Sequence, residues 1–326
     1  MNKSSNGNGI STKIKQVNLR DAMVYIAFVI LYITFSLTLR DVGLGFSNTG
    51  NLMNILRQTS LLAIMSVGMT FVISSGQIDL SVGPVVGVTS VIVAMAINEL
   101  GVTAGVLIGL GFGAVAGLIN GILIAYLKLP PFIATLGMSM VWQGVSRKVS
   151  NLKAIIVLDE GFIKIFGGGN AGVFPSVFVW MVVIVIIGYI VIYKTRFGRQ
   201  VLAVGGNERS AMYSGIRVHR VRIAVMIISG VLAALAGILW TGRFGGGRYS
   251  LGEGSETDVI AATVLGGTSM LGGKASLTGA VVGSILIGML NNALVMYGLD
   301  THQQMIFSGI TILLAVIATI RREKLK

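Results

Sequence analysis

Ten apolar runs without one charged residue follow each other along the chain, at residues 22–39, 58–78, 80–98, 101–127, 129–146, 173–193, 223–242, 259–273, 276–298 and 304–320. A bilayer with a hydrocarbon layer of roughly 30 Å asks for about 20 apolar residues per spanning helix. In lipid an isolated segment satisfies its own backbone groups only as a helix. The expected fold is therefore all-α, a polytopic transmembrane bundle of about ten spans. Runs 80–98 and 259–273 are short or glycine-broken, which predicts half-helices or re-entrant elements. Only 11% of the 326 residues are charged and 54% are hydrophobic, against about 25% charged in a soluble domain. Forty-five glycines against four prolines suit helices that approach closely through small residues.

Where the charges fall predicts the orientation. Lysine and arginine are retained on the cytoplasmic side of a membrane protein. Residues 1–20 are polar and basic (Lys3, Lys13, Lys15, Arg20) and lead straight into the first run, with no small-residue cleavage site between. This reads as a cytoplasmic tail and a first span rather than a cleaved signal peptide. Ten crossings from that start leave Lys128, residues 194–222, Lys274 and a tail at 321–326 in the cytoplasm. Asp41, Glu99, Asp159, Glu160, Glu253, Glu256, Asp258 and Asp300 fall at or near the outer side. The organisation expected is thus a tail (1–20), a membrane domain (21–320) and a second tail (321–326). Arg147, Lys148, Lys153 and Lys164 run against the trend, and residues 151–172 form the one sizeable external connection.

The net charge of +13 follows topology instead of forming one basic face, so nucleic acid is not an expected partner. With no cysteine, thiolate chemistry is excluded, and with only His219 and His302, far apart in sequence, a histidine metal site is not expected.

The longest basic, polar stretch is residues 194–222, with Lys194, Arg196, Arg199, Arg209, Arg217, Arg220 and Arg222 against the single acid Glu208. Short apolar clusters alternate there with Gly205, Gly206 and Asn207 and with Ser214 and Gly215, predicting two short helices broken by glycine turns. A solvated tether has no use for Ala211, Met212, Tyr213 and Ile216. A docking surface does.

Two parts of the chain echo each other. The carboxylates Asp79 and Asp258 each open a short apolar segment. Gly117, Asn120, Leu123 and Tyr126 match Gly288, Asn291, Leu294 and Tyr297 in spacing. In the ten-span topology the two copies enter from opposite sides, as in the inverted repeats of transporters, whose polar sites lie near the repeat interface. Gln77, Asp79 and Ser81 stand in an apolar context, where a carboxylate caps a helix, pairs, or lines a water path. Asp79 is placed to cap the helix that starts near Leu80 or Val82, and Asp258 has the same place before Val259. Asn120 and Asn291 either bond across helices or offer an uncharged donor–acceptor pair to a polyhydroxyl solute. Gln77, Asp79, Asn120 and Asn291 are thus the candidate solute path. Gly266 to Ser276 mimics a phosphate loop, but Thr268 and Ala275 stand where the motif requires glycine and a hydroxyl residue. No nucleotide site or other cofactor site is expected on this chain.

Four motifs then carry a resemblance across nearly the whole chain. Residues 76–83 (GQIDLSVG), 117–121 (GLING), 130–137 (PPFIATLG) and 264–269 (VLGGTS) are similar to those of the ribose-type permeases. These are membrane subunits of bacterial ABC importers for monosaccharides. The resemblance implies an inner-membrane permease, not an enzyme, working as a homodimer or with a similar permease. It also implies an ATPase that holds the ATP and a periplasmic sugar-binding protein. Gly205, Gly206, Asn207 and Glu208, with Ala211, Ser214, Gly215 and Ile216, resemble the family's ATPase-coupling segment. Arg209, Ser210 and Ala211 depart from its usual acidic, alanine-rich run. The alternatives from the residues alone are an ion-coupled secondary carrier and a membrane hydrolase using Asp79 with Asp258.

Overall fold

A helix in lipid gains little from apolar contact with its neighbours, so bundles close through small residues and interhelical hydrogen bonds; both recur here. The computed structural model describes residues 19–43, 45–300, 302–307, 309–310 and 313. The rest of the basic tail, most of the 304–320 run and the 321–326 tail lie outside the described residues.

The order is α1 (Leu19–Thr38), α2 (Thr49–Ser74), α3 (Val82–Leu100), α4 (Val102–Ala125), α5 (Pro131–Ser150), β1 (Ile155–Ile156), α6 (Glu160–Phe166), β2 (Asn170–Ala171), β3 (Phe174–Pro175) and α7 (Ser176–Lys194). Then come α8 (Arg196–Gly206), α9 (Glu208–Tyr213), α10 (Val218–Phe244), β4 (Gly246–Gly247), α11 (Ser255–Leu265) and α12 (Leu277–Met296). The fold is an all-α membrane bundle. Six described helices are long and apolar enough to cross a membrane: α2, α3, α4, α7, α10 and α12. Part of α1, Val24–Thr38, is apolar but shorter. Helix α5 is long enough, but Ser139, Gln143, Arg147 and Lys148 dilute its apolar surface.

Local chemistry sets the ends. Asn48 caps α2 by accepting from the Gly50 amide at 2.8 Å. Helix α5 starts on Pro131 at its first position, where the missing N–H costs no helical bond. Helix α10 stops at Gly245, whose φ of +63° lies in the left-handed region that favours glycine.

Helices α4 and α10 make the closest crossing. Gly113, Gly117 and Gly121 lie against Gly230, Met226 and Ile223, near enough that a Cβ on Gly117 or Gly230 would strike backbone. Helices α2 and α12 pair by another route. The Ser284 hydroxyl donates to Ser66 Oγ at 3.0 Å, Gly288 abuts Thr59, and the amides of Asn51 and Asn292 bond reciprocally at 3.0 and 3.1 Å.

Two stretches share one plan: a long helix, a non-helical break, a helix that starts at the break, and a return helix. These are α2, residues 75–81, α3, α4, and then α10, residues 245–254, α11, α12. Helices α2 and α10 run antiparallel, since Gly68 lies beside Ser229 while Leu61 and Ile64 cluster with Leu235 and Leu239. Helix α3 starts level with the middle of α10, for Asp79 bonds Ser229 and Gly237 packs on the Val86 carbonyl. Helix α11 starts beside α3, with Gly252 and Glu256 against Gly83. Glu256 therefore sits at the depth of the α3 start. At 11 residues α11 is about 16 Å long, the half-helix expected from run 259–273. Helix α3, also expected to be short, has 19 residues.

Residues 151–172 do not form a free connection. Strand β1 pairs with β4, and Gly167 and Gly168, after α6, pack on the end of α10.

Candidate functional site

The break at 75–81 holds the most deeply buried carboxylate among the described residues. Asp79 is 1% exposed. One of its oxygens accepts from the Ser81 amide at 3.0 Å and the Ser81 hydroxyl at 2.7 Å, and the other from the Ser229 hydroxyl of α10 at 2.8 Å. Asn120 of α4 donates its amide to Ser81 Oγ at 2.7 Å. A bare carboxylate in this setting would be prohibitive; here it is the acceptor that ties the break to α4 and α10. The expected helix cap is corrected in detail. Ser81 is the N-cap of α3, and Asp79 closes a turn onto the Ser81 amide two residues on. Likewise Gly254, not Asp258, precedes α11; Asp258 lies inside its first turn, where a negative charge complements the helix dipole.

The polar candidates separate in space. Asp79 and Asn120 share the buried network. Gln77 is 3% exposed, with its Nε2 donating to the Gly76 carbonyl at 3.1 Å and its Oε1 unpartnered among the described residues. Asn291 is half-buried on α12; the amide that bridges to α2 is that of Asn292. Ser229, Ser66, Ser284 and the Asn51–Asn292 pair were not singled out from the sequence. Small hydroxyl residues are ordinary in such helices, so only a partner distant in sequence marks them.

The central basic stretch forms the two short helices its glycines predict. Thr195 caps α8 by accepting from the Gly198 amide at 3.2 Å, and Asn207 caps α9 by accepting from the Ser210 amide at 2.9 Å. Gly215 ends the pair at φ +80° with open space around it. Ala211 is buried and Ile216 half-buried, so these two seat α9 on the bundle. Facing outward are Gly206, Asn207, Glu208, Ser214 and Gly215, with Met212 at 57% and Tyr213 at 91% exposure. Glu208 forms a two-pronged ion pair with Arg222, at 2.7 and 3.0 Å. Arg209, Arg217 and Arg220 are exposed and meet no carboxylate among the described residues. Gly205 is half-buried at a three-way joint, against the Ser74 carbonyl at the end of α2 and Gly272 and Gly273 after α11. The Gly273 amide donates to that same Ser74 carbonyl at 2.9 Å.

Between α9, the α4–α5 turn and the 75–81 break lies a cleft of about 580 Å³, whose lining includes Gln77, Lys128, Pro131, Glu208, His219 and Arg222. It is the place where candidates from the break and from the central stretch meet.

Comparison with known proteins agrees with the motif resemblance. Residues 51–316 match the family model described as branched-chain amino acid transport system / permease component. The ribose import permease protein RbsC of Bacillus subtilis is 38% identical over 82% of this chain and 84% of its own length. RbsC of Escherichia coli K12 is 37% identical over 86% of this chain and 88% of its own. The L-arabinose ABC transporter permease protein AraH of Azospirillum brasilense is 34% identical over 90% and 86%.

Proposed function

Because this chain belongs to the family of transport-system permease components, a multi-pass inner-membrane family, we propose that it is the membrane subunit of an ABC importer for a monosaccharide. The observation that carries the substrate class is likeness along more than four-fifths of the chain to permeases for ribose and arabinose. An ATPase and a binding protein are the partners such a permease needs, and ATP belongs to the ATPase. We place two permease copies at the centre of the importer, each crossing the membrane ten times with both ends in the cytoplasm. The plan shared by residues 49–125 and 218–296, whose first helices run antiparallel, supports an inverted repeat. The mechanism is alternating access, driven by differential affinity of the nucleotide states for two arrangements of the bundle. A hydrolase reading has no support, since the family and the relatives it matches are transport permeases.

The test is reconstitution. The permease with its ATPase and binding protein, in vesicles, is expected to accumulate radiolabelled D-ribose, L-arabinose or D-allose only with ATP inside. Uptake that a proton or sodium gradient drives without the ATPase would overturn the proposal.

The central segment is the proposed ATPase contact. The exposed Tyr213, with Arg217 and Arg220 that meet no carboxylate among the described residues, calls for a partner surface with an apolar pocket and carboxylates. Aromatic and arginine side chains supply the dominant anchors in most interfaces. Tyr213→Ala is expected to weaken co-purification of the ATPase by about 2 kcal/mol, or roughly thirtyfold in affinity. Arg217→Glu with Arg220→Glu should abolish it, while membrane insertion is kept. Retention of the ATPase by both variants would assign the segment to topology alone.

Orientation has its own check. The chain contains no cysteine, so a Ser210→Cys variant carries a single thiol on exposed α9. An impermeant maleimide is expected to label it in inverted vesicles and not in intact cells.

A further inference from the structure

Residues 266–276 mimic a phosphate loop without meeting its pattern, and the fold gives their glycines another use. Three pieces of main chain from distant parts of the sequence meet at the end of α8 with no side chain between them. Gly205 of α8 faces the Ser74 carbonyl that ends α2; a Cβ there would run into that carbonyl and lie 2.7 Å from the Gly273 amide nitrogen. A Cβ on Gly272 would lie 2.6 Å from the Gly205 carbonyl oxygen, and one on Gly273 would lie 2.8 Å from the Gly206 Cα. Gly76, at the start of the 75–81 break, lies beside the Gly205 Cα. Hydrogen bonds close the joint. The Ser74 carbonyl accepts from the Gly273 amide at 2.9 Å, and the Ser74 hydroxyl donates to the Lys274 carbonyl at 3.4 Å. Gly272 and Gly273 hold φ of +83° and +74°, where a side chain would strain the backbone.

Such a contact has no slack. Side chains at an interface can change rotamer, but main chain set against main chain moves only as a body. The loop beyond the joint is closed on itself: the Ser269 amide donates to the Lys274 carbonyl at 3.2 Å, and the Ser276 amide to Thr268 Oγ1 at 3.1 Å. At its base Gly266 lies against the backbone of Gly279 and Ala280, so α11 and α12 leave the loop in contact. On the other side, Ser74 leads through the break to Asp79, whose network reaches α4 through Asn120 and α10 through Ser229. The end of α8 thus touches both stretches that share one plan, at the break of the first and the α11–α12 turn of the second.

We propose that this glycine joint passes movement of α8 and α9 to both halves of the permease at once. Gly272 and Gly273 are its positioning residues, keeping α8 in register with the end of α2 and with the α11–α12 turn. The inference rests on the importer reading above, in which the ATPase acts on the central segment, and adds the route by which that action reaches the membrane helices. Both stretches then change arrangement together, which alternating access between two states demands.

Two alanine substitutions in one loop separate the joint from the loop's own backbone. Gly272→Ala adds strain at φ +83° and pushes against Gly205. Gly267→Ala adds the same kind of strain at φ +95°, but its Cβ would meet only the Ser276 side chain, at 3.7 Å. The measurement is radiolabelled sugar taken up per ATP hydrolysed, in vesicles holding the full-length permease with its ATPase and binding protein. A defect of folding or assembly lowers uptake and hydrolysis together and leaves that ratio unchanged, whereas a loosened joint lowers the ratio. The expected ratio is down about tenfold for Gly272→Ala and within about twofold of wild type for Gly267→Ala. Ser74→Ala removes the bond to the Lys274 carbonyl without added bulk, and its ratio should fall about threefold. Where Gly272→Ala does not assemble, Ser74→Ala decides alone. A wild-type ratio in both of these variants would overturn the proposal, and so would an equal fall in Gly267→Ala and Gly272→Ala. Wild-type uptake with unchanged ratios in the variants removes this inference alone. A wild-type complex that takes up none of D-ribose, L-arabinose and D-allose overturns the importer reading, and this inference with it.

Discussion

Gly230→Leu is expected to stop the protein from accumulating as a folded membrane protein. By local propensity the change should help, since leucine is a better helix former than glycine by close to 1 kcal/mol. Tertiary packing outweighs it. A Cβ at Gly230 would run into the Gly113 carbonyl and lie 2.9 Å from the Gly117 amide nitrogen. These are backbone atoms that cannot rotate aside, so α4 and α10 must separate along their whole crossing. Overpacking a closed core usually costs about 1–3 kcal/mol, and this contact sits at the upper end or beyond it. The control lies on the same helix as the collision. Gly111 of α4 has nothing within 4 Å of where a Cβ would be, so Gly111→Leu should be recovered normally. Size-exclusion chromatography of detergent extracts is the measurement. The expected recovery is down about tenfold for Gly230→Leu and within about twofold of wild type for Gly111→Leu. Equal recovery of both would mean that the α4–α10 crossing is not what closes the bundle.

Asp79→Leu should abolish transport and lower thermal stability, whereas Asp79→Asn should keep most of the stability. Leucine removes the acceptor for the Ser81 amide, the Ser81 hydroxyl and the Ser229 hydroxyl together. Each buried donor left without a partner costs about 1–3 kcal/mol, enough to free the break from α10. Asparagine retains one oxygen for Ser81, and the Ser229 hydroxyl can turn to accept from the new amide. Melting of the solubilised permease separates the two outcomes. A leucine variant that melts with the wild type and still imports sugar would show that the carboxylate does not hold the break.

Much of this organisation is legible in the sequence because lipid leaves the chain few choices. The charge-free runs locate the helices, and the glycine turns of 194–222 mark α8 and α9. Asn120 stands out because an amide in a span must be bonded. What stays hidden is phase and partnership. Asn291 and Asn292 differ by about 100° around α12, and spacing from Gly288 picks the half-buried one. Asp79 looks like a simple cap because its sequence neighbours suit one, while its decisive partner Ser229 lies 150 residues away. Residues 151–172 read as a loop because a two-residue pairing with β4 and a seven-residue α6 leave almost no periodic trace. The exposed Tyr213 and the buried Ala211, two residues apart, are separated only by which face of α9 rests on the bundle.

That 150-residue separation bears on how the protein is made. When the 75–81 break leaves the ribosome, α10 has not been synthesised. At about 5–20 residues per second, Asp79 waits roughly eight to thirty seconds for the hydroxyl of Ser229. Until then its carboxylate and the open start of α3 are too costly to face acyl chains. Helix α11, with two acids in its first turn and about half the length of a span, cannot partition into lipid unaided either. Of the bonds to Asp79, those from Ser81 are available as soon as the break is made, and the one from Ser229 only once α10 has arrived. The full set of partners that holds the 75–81 break is thus complete only when both halves of the chain have been made.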